Sequence, residues 1–237
     1  YIVILFLEMY PQRKSVETAV QVLASVRLAL LLFLGEGENM DTKEILARYY
    51  ENYDEDARLT SRRGTVEFLT TMRYIERYLR PGMRILEIGA ATGRYSHSLA
   101  RKGYTVDAVE LVEHNIERFR QNTQPGENIA VIQGNAKDLG AFADNTYDIT
   151  LLLGPMYHLF TDEDRTAALS EAVRVTKPNG LMMTAYCMND ATVIQYLFGR
   201  HKVFDESLHD LVDWKTFKLD STPEQLFVLW RQEDIRK

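Results

Sequence analysis

The chain has 237 residues, 46% hydrophobic and 26% charged, with a net charge of −6. These figures suit an ordinary folded domain and argue against disorder or low complexity. The acidic balance argues against a protein held on nucleic acid by its overall field. A single cysteine, Cys187, excludes an intramolecular disulfide and a cysteine-based zinc site and points to a cytoplasmic setting.

The chain opens on YIVILFL, an apolar run broken by Pro11, and Ser15–Leu34 then reads as a largely apolar helix. Its longest uninterrupted apolar stretch, Leu28–Leu34, is far short of the roughly 18–20 residues that span a bilayer, and Arg27 adds a charge. LGEGENM after it holds no small-residue cleavage site of the secretory kind. Residues 1–39 are therefore expected to be an N-terminal extension, and 40–237 the main domain. A packed N-terminal strand and helix is the alternative.

From Asp41 the pattern alternates. Helices are expected over Asp41–Tyr53 and Thr65–Leu79, the latter capped by Ser61 or Thr65. MRILEI (Met83–Ile88) is a strand, Arg94–Lys102 a helix closed by Gly103, TVDAVE (Thr105–Glu110) a strand and Glu113–Asn122 a helix. Asn128–Gln133 and Tyr147–Leu153 are further strands. Glu163–Val175 is a helix stopped by Lys177-Pro178-Asn179-Gly180, and Leu181–Cys187 is a fifth strand. Strand and helix in alternation imply an α/β fold of doubly wound type, with a mostly parallel sheet covered on both faces.

The informative block is Ile85-Leu86-Glu87-Ile88-Gly89-Ala90-Ala91-Thr92-Gly93-Arg94-Tyr95. A strand enters a turn of small residues and a helix follows directly, so backbone N–H groups can approach a ligand at the positive end of a helix dipole. Glu110, at the end of the next strand and 21 residues beyond Gly89, stands where an acidic residue commonly holds two ribose hydroxyls. A dinucleotide fingerprint starting at Gly89 needs glycine at 91 and 94, where the chain has Ala91 and Arg94. That disfavours an NAD(P)-dependent oxidoreductase, which stands as one alternative.

Glu87-x-Gly89-x-x-x-Gly93 resembles motif I of the class I S-adenosylmethionine-dependent methyltransferases of small bacterial type, with Ala91 in place of the middle glycine. Further stretches fit the same family in order. Val109-Glu110-Leu111 matches the ribose-binding strand end, Gln133-Gly134-Asn135-Ala136 the adenine loop, and Leu153-Gly154-Pro155-Met156-Tyr157-His158 the place of the methionine part and the acceptor. The resemblance covers Met83 to about Cys187, the expected cofactor-binding core. It implies a Rossmann-like fold, S-adenosyl-L-methionine as methyl donor, and S-adenosyl-L-homocysteine as product. The cofactor residues it implies are Tyr53, Glu87, Gly89, Ala90, Ala91, Thr92, Gly93, Glu110, Leu111, Asn135, Ala136, Leu153 and Gly154.

Each position also has a bland reading. Glu110 could be a solvated strand end and Asn135 a turn residue bonded by its own side chain. His158 is either a candidate base, with Tyr157 lining the acceptor pocket, or a hydrogen-bonded structural histidine. Tyr49-Tyr50-Glu51-Asn52-Tyr53-Asp54 resembles the family's lid segment, with Tyr49 and Tyr53 on one helix face. Arg58, Arg62 and Arg63 read as a solvated face or as a basic cluster toward an anion.

The family usually ends on an antiparallel hairpin, and Asn189–Lys237 shows none. It reads as helices at Asp190–Phe198 and Thr222–Arg236, with an extended stretch near Trp214–Leu219. Either the sheet lacks that hairpin or YIVILFL supplies an edge strand; an unpaired edge would favour a homo-oligomer. The acceptor is expected to be a small molecule, with no nucleic acid and no membrane span. A non-catalytic cofactor-binding or interaction protein is the second alternative.

Overall fold

The computed structural model describes residues 2–8, 18–19, 42–51, 55–222 and 226–235. Five parallel strands form its centre: β3 (Arg84–Ile88), β4 (Thr105–Glu110), β5 (Ile129–Gln133), β6 (Tyr147–Leu152) and β7 (Thr176–Met188). Their order is β7-β6-β3-β4-β5, so the chain reverses its winding direction beside β3. In open sheets of this kind the crevice at such a reversal, above the carboxyl ends of the strands, takes the ligand.

Alternation along the strands builds two cores. Leu86, Ile88, Val109, Leu152 and Met182 pack with Ala168, Ala172 and Val175 of α6 (Asp162–Val175). Ile85, Ile149, Leu151, Met183 and Ala185 face the other way, onto Ile75 of α3 (Arg62–Tyr78) and Leu99 and Ala100 of α4 (Arg94–Arg101). Phe119 of α5 (Glu113–Asn122) packs on Ala108. Near-continuous apolar strands follow from burial on both faces. Ser61 caps α3, its hydroxyl oxygen accepting from Gly64 N at 3.1 Å.

The N-terminal run takes the strand option. β1 (Ile2–Glu8) pairs antiparallel with β7 from Ile2↔Cys187 to Glu8↔Leu181, and β2 (Thr18–Ala19) adds outside it. This is the sheet position where the family's hairpin was expected. β2 lies inside the stretch read as an apolar helix; the remainder of that stretch lies outside the described residues.

Two expectations need correction. The helix expected over Thr222–Arg236 is short, α8 (Gln232–Ile235), and is preceded by extended chain with β10 (Leu229–Trp230) parallel to the end of β7. The reason is tertiary: Leu226 is buried against Leu46 and Val112, and Val228 is buried with its N–H on the Tyr157 carbonyl, which an extended strap allows. The sequence reading also passed over α2 (Glu55–Thr60), which follows α1 (Thr42–Glu51). The helix expected at Asp190–Phe198 is α7 (Asn189–Thr192) continued by a π-helical turn, Val193–Phe198. β8 (Val212–Asp213) and β9 (Lys218–Leu219) make a small separate hairpin. Among the described residues no helix is long and apolar enough to cross a membrane.

Candidate functional site

β3 ends at Ile88, and the chain turns through residues 89–93 into α4. Gly93 takes left-handed backbone, and a Cβ there would stand 2.4 Å from the Phe119 ring. Ala91 is also left-handed, at φ 48°, which costs a side-chain-bearing residue about 1–2 kcal/mol. Thr92 donates its hydroxyl to Asp56 Oδ1 at 2.6 Å, tying the turn to α2.

Glu87 does not stand free. Its carboxylate accepts from the Ser96 N–H at 2.9 Å and from the Ser96 hydroxyl, so it fastens the first turn of α4 to β3. Burial pushes the Glu87 carboxyl up, to about 8, against the lowering effect of the two Ser96 bonds. Glu110 accepts from Ala91 N at 2.7 Å, Val112 N at 3.0 Å and Asn115 Nδ2 at 3.2 Å. Burial raises its carboxyl too, with the backbone bonds opposing.

A cavity of about 350 Å³ lies over these groups. Leu46, Leu111 and Val112 give it apolar walls, Glu110, Asn135 and the Lys137–Asp164 pair are polar groups in its lining, and Gly154, Pro155 and His158 line it as well. Asn135 Oδ1 accepts from Lys137 N at 3.0 Å, so one lone pair serves the local turn. A smaller cavity of about 70 Å³ shares Tyr50, Gly89, Ala91 and Gly154 with the first. Its charged lining comprises Glu55, Arg58, Glu67, Glu87 and Arg94.

Arg58 is not on a solvated face. It donates to both oxygens of Glu67, at 3.0 and 2.8 Å, and to Glu55 at 2.8 Å, with its side chain 16% exposed. Arg62 is exposed, and the Arg63 side chain lies outside the described residues.

His158 is buried beside the larger cavity. Its Nδ1–H donates to the Leu226 carbonyl at 2.8 Å, which leaves the Nε2 lone pair toward the Tyr50 hydroxyl at 3.4 Å. Burial lowers its pKa to about 4, so the ring is neutral near pH 7. Tyr157 donates its hydroxyl to the Leu153 carbonyl, while its own carbonyl accepts from Val228 N at 2.6 Å. The strap at 226–228 thus pins both residues from above. Cys187 is buried, with its thiol pushed up to about 12, and behaves as a small apolar residue.

Residues 85–180 match the family described as methyltransferase domain. YqeM of Bacillus subtilis, a protein named as a methyltransferase, is 24% identical over 68% of this chain and 66% of its own length. The demethylmenaquinone methyltransferase of Renibacterium salmoninarum is 33% identical over 44% of this chain and 41% of its own. The PH0226 protein of Pyrococcus horikoshii shares the fold with a TM-score of 0.59 at 19% identity, over 80% of this chain and 86% of its own. The core of this chain thus resembles a methyltransferase domain, and its fold is that of the PH0226 protein. The chain spans two thirds or less of the curated relatives it matches.

Of the methyltransferase positions expected from sequence, Glu110, Leu111, Asn135 and Ala136 line the larger cavity. Glu87, Ala90, Thr92, Leu153 and Tyr157 line the smaller one, and Gly89, Ala91 and Gly154 line both. Gly93 serves the turn and its packing on Phe119. Tyr53 lies outside the described residues. Sequence reasoning missed Tyr50, Glu55, Glu67 and Arg94. The signal for Tyr50 was available: Leu46 and Tyr50, four apart on α1, both face the larger cavity, whereas Tyr49 packs on Tyr50 and Phe227.

Proposed function

We propose that the chain is an S-adenosylmethionine-dependent methyltransferase acting on a small-molecule acceptor. The observation that carries this reading is one cavity running from Glu110 and Asn135 to Gly154 and His158. A carboxylate at one end, apolar walls beside it and an amide close by suit a nucleoside, whose ribose offers two donors and whose base offers an apolar face. In this reading Glu110 takes the ribose hydroxyls, Leu111 and Ala136 flank the base, and Asn135 meets its edge.

Bound here, the cofactor would supply a methyl group on a sulfonium for in-line transfer to an acceptor atom, with S-adenosylhomocysteine as the leaving group and the acceptor's proton passing to solvent. The chain's work is alignment and exclusion of water. Leu153 and Gly154 form the wall where the acceptor approaches, with Tyr157 locked against Leu153 and so fixed in shape. His158, neutral, offers its Nε2 lone pair and orients the Tyr50 hydroxyl. A ring with a pKa this low is a weak base, so its contribution is orientation more than proton removal.

Calorimetric titration of S-adenosylmethionine, S-adenosylhomocysteine and NAD into wild type and Glu110→Ala tests the reading, with thermal melting to confirm that the variant folds. Micromolar binding of the first two, weakened about tenfold or more by the substitution, is expected. Binding of NAD alone overturns it. Tight binding without methyl transfer to any of a panel of small acceptors favours a binding protein instead.

A further inference from the structure

Glu55 keeps one carboxylate oxygen free inside the smaller cavity. Its Oε1 takes Arg58 Nε at 2.8 Å and Nη2 at 2.7 Å, while Oε2 has no partner among the described residues. The side chain is 10% exposed and lines the cavity. Glu67 gives both of its oxygens to Arg58. One guanidinium therefore serves two carboxylates, and the excess negative charge is open at Glu55. Burial raises the Glu55 carboxyl while Arg58 opposes. Glu87 holds its proton up to about 8 and lines the cavity neutral near pH 7. A buried carboxylate oxygen left without a donor is costly, and in a native protein it commonly awaits one.

The cavity has two kinds of wall. The turn between β3 and α4 supplies one, including Arg94, which lies over the Phe68 ring with its guanidinium carbon 4.6 Å from the centroid. Glu55 belongs to the other, built from α2, α3, the chain after β6 and the end of β7, with Thr71, Leu153, Tyr157 and Ala185. Tyr50, Tyr95 and Tyr157 add aromatic rings to the lining, which suit positive charge. The groups that could take a proton from an acceptor are poor at it. His158 titrates at about 4, and burial pushes the three tyrosine hydroxyls up, so they hold their own protons. An alcohol has to lose a proton to attack well, whereas a neutral amine already presents its lone pair.

We propose that this second wall takes a small amine as the methyl acceptor, with an N–H of the amine donating to Glu55 Oε2. This rests on the methyltransferase reading above. The nitrogen lone pair attacks the methyl carbon, the N–C bond forms as the S–C bond breaks, and S-adenosylhomocysteine leaves with the bonding electrons. The positive charge moves from sulfur to nitrogen, beside the Glu55 carboxylate, and the nitrogen then gives one proton to solvent.

The test offers ethylamine, ethanol and ethanethiol, which differ only in the reacting atom, with methyl-labelled S-adenosylmethionine to wild type and Glu55→Gln. Glutamine keeps an oxygen for Arg58 and turns a donor toward the acceptor. S-adenosylhomocysteine and 5′-methylthioadenosine, which lacks the amino-acid tail, are titrated calorimetrically into both proteins, with melting curves as the folding control. Wild type should methylate ethylamine about tenfold faster than the other two, or more. Glu55→Gln should lower that rate about tenfold or more and hold the Kd for S-adenosylhomocysteine within about twofold. Ethylamine should also raise the melting temperature of the wild-type complex with S-adenosylhomocysteine, and the rise should vanish in Glu55→Gln. A preference for ethanol or ethanethiol overturns the amine class, as does transfer to none of the three by a protein that binds S-adenosylmethionine. An unchanged ethylamine rate in Glu55→Gln overturns the part given to Glu55. Weakened S-adenosylhomocysteine with unchanged 5′-methylthioadenosine overturns it too, by showing that Glu55 holds the cofactor's own amino group. Should the variant unfold, the wild-type ranking of the three acceptors still decides the class. Wild type that binds neither S-adenosylmethionine nor S-adenosylhomocysteine removes the methyltransferase reading itself.

Discussion

The Thr92 hydroxyl donates to Asp56 at 2.6 Å, joining the turn after β3 to α2, while Asn122 of α5 donates to the Thr92 carbonyl at 3.3 Å. The turn, α2 and α5 are thereby clipped together. Asn122 Nδ2 also donates to Asp56, at 3.4 Å, and Arg58 ties α2 to Glu67 of α3, so the Thr92 bond is the link from α2 to the turn itself. Asp56→Ala should cost about 1 kcal/mol of stability and raise the Kd for S-adenosylhomocysteine about fivefold. Urea unfolding and calorimetry read the two effects, and an unchanged Kd would show that α2 is not part of the binding machinery.

Two of the three left-handed positions of the turn, Ala91 and Gly93, should respond in opposite directions. Ala91→Gly relieves a strained backbone at the loss of one half-buried methyl and should stabilise by about 1 kcal/mol. Gly93→Ala adds both backbone strain and a Cβ 2.4 Å from the Phe119 ring and should destabilise by about 3 kcal/mol or more. Chemical denaturation of the two variants side by side decides the matter; a destabilised Ala91→Gly would mean that the Ala91 methyl packs more than its backbone strains.

Two buried groups should give stability opposite pH slopes. Glu87 holds its proton up to about 8 in the folded chain, above its ordinary 4.5, so its contribution is fully present below pH 4.5 and is lost as pH rises through 8. His158 titrates at about 4, below its ordinary 6.5, so its contribution is present above pH 6.5 and is lost as pH falls toward 4. Between pH 4.5 and 6.5 the two slopes oppose and largely cancel, so unfolding free energies measured from pH 4 to 8.5 should fall mainly on an alkaline limb between 6.5 and 8, by about 2 kcal/mol. Glu87→Gln should remove the alkaline limb and uncover a fall from pH 6.5 toward 4, and His158→Gln should extend the alkaline limb down to about pH 4.5. If either variant keeps its wild-type limb, that group is not the source.

The central sheet was legible in the chain because local signals agreed with the fold. Apolar runs such as Tyr147–Leu152 are short and bounded by turn residues, and helices such as Glu113–Asn122 begin and end where their sequence signals say. The first βα turn was legible for the same reason: a short turn carries its conformational demands in its own residues. The strap at 226–230 was not, because its apolar residues suit either a helix face or a buried strand, and only the tertiary burial of Leu226 and Val228 decides.

By itself the sequence determined the α/β alternation, the turn from Gly89 to Gly93, and the place of Glu110 at the end of the second parallel strand. These depend on neighbours within a few residues or on a fixed repeat of strand and helix. The tertiary structure decided which groups meet: that β1 lies beside β7, that Tyr50 faces His158, and that Arg58 is taken up by Glu55 and Glu67 while Arg94 is left with a free donor. A charge in a sequence has no partner until packing supplies one, and burial then sets whether that partner is kept.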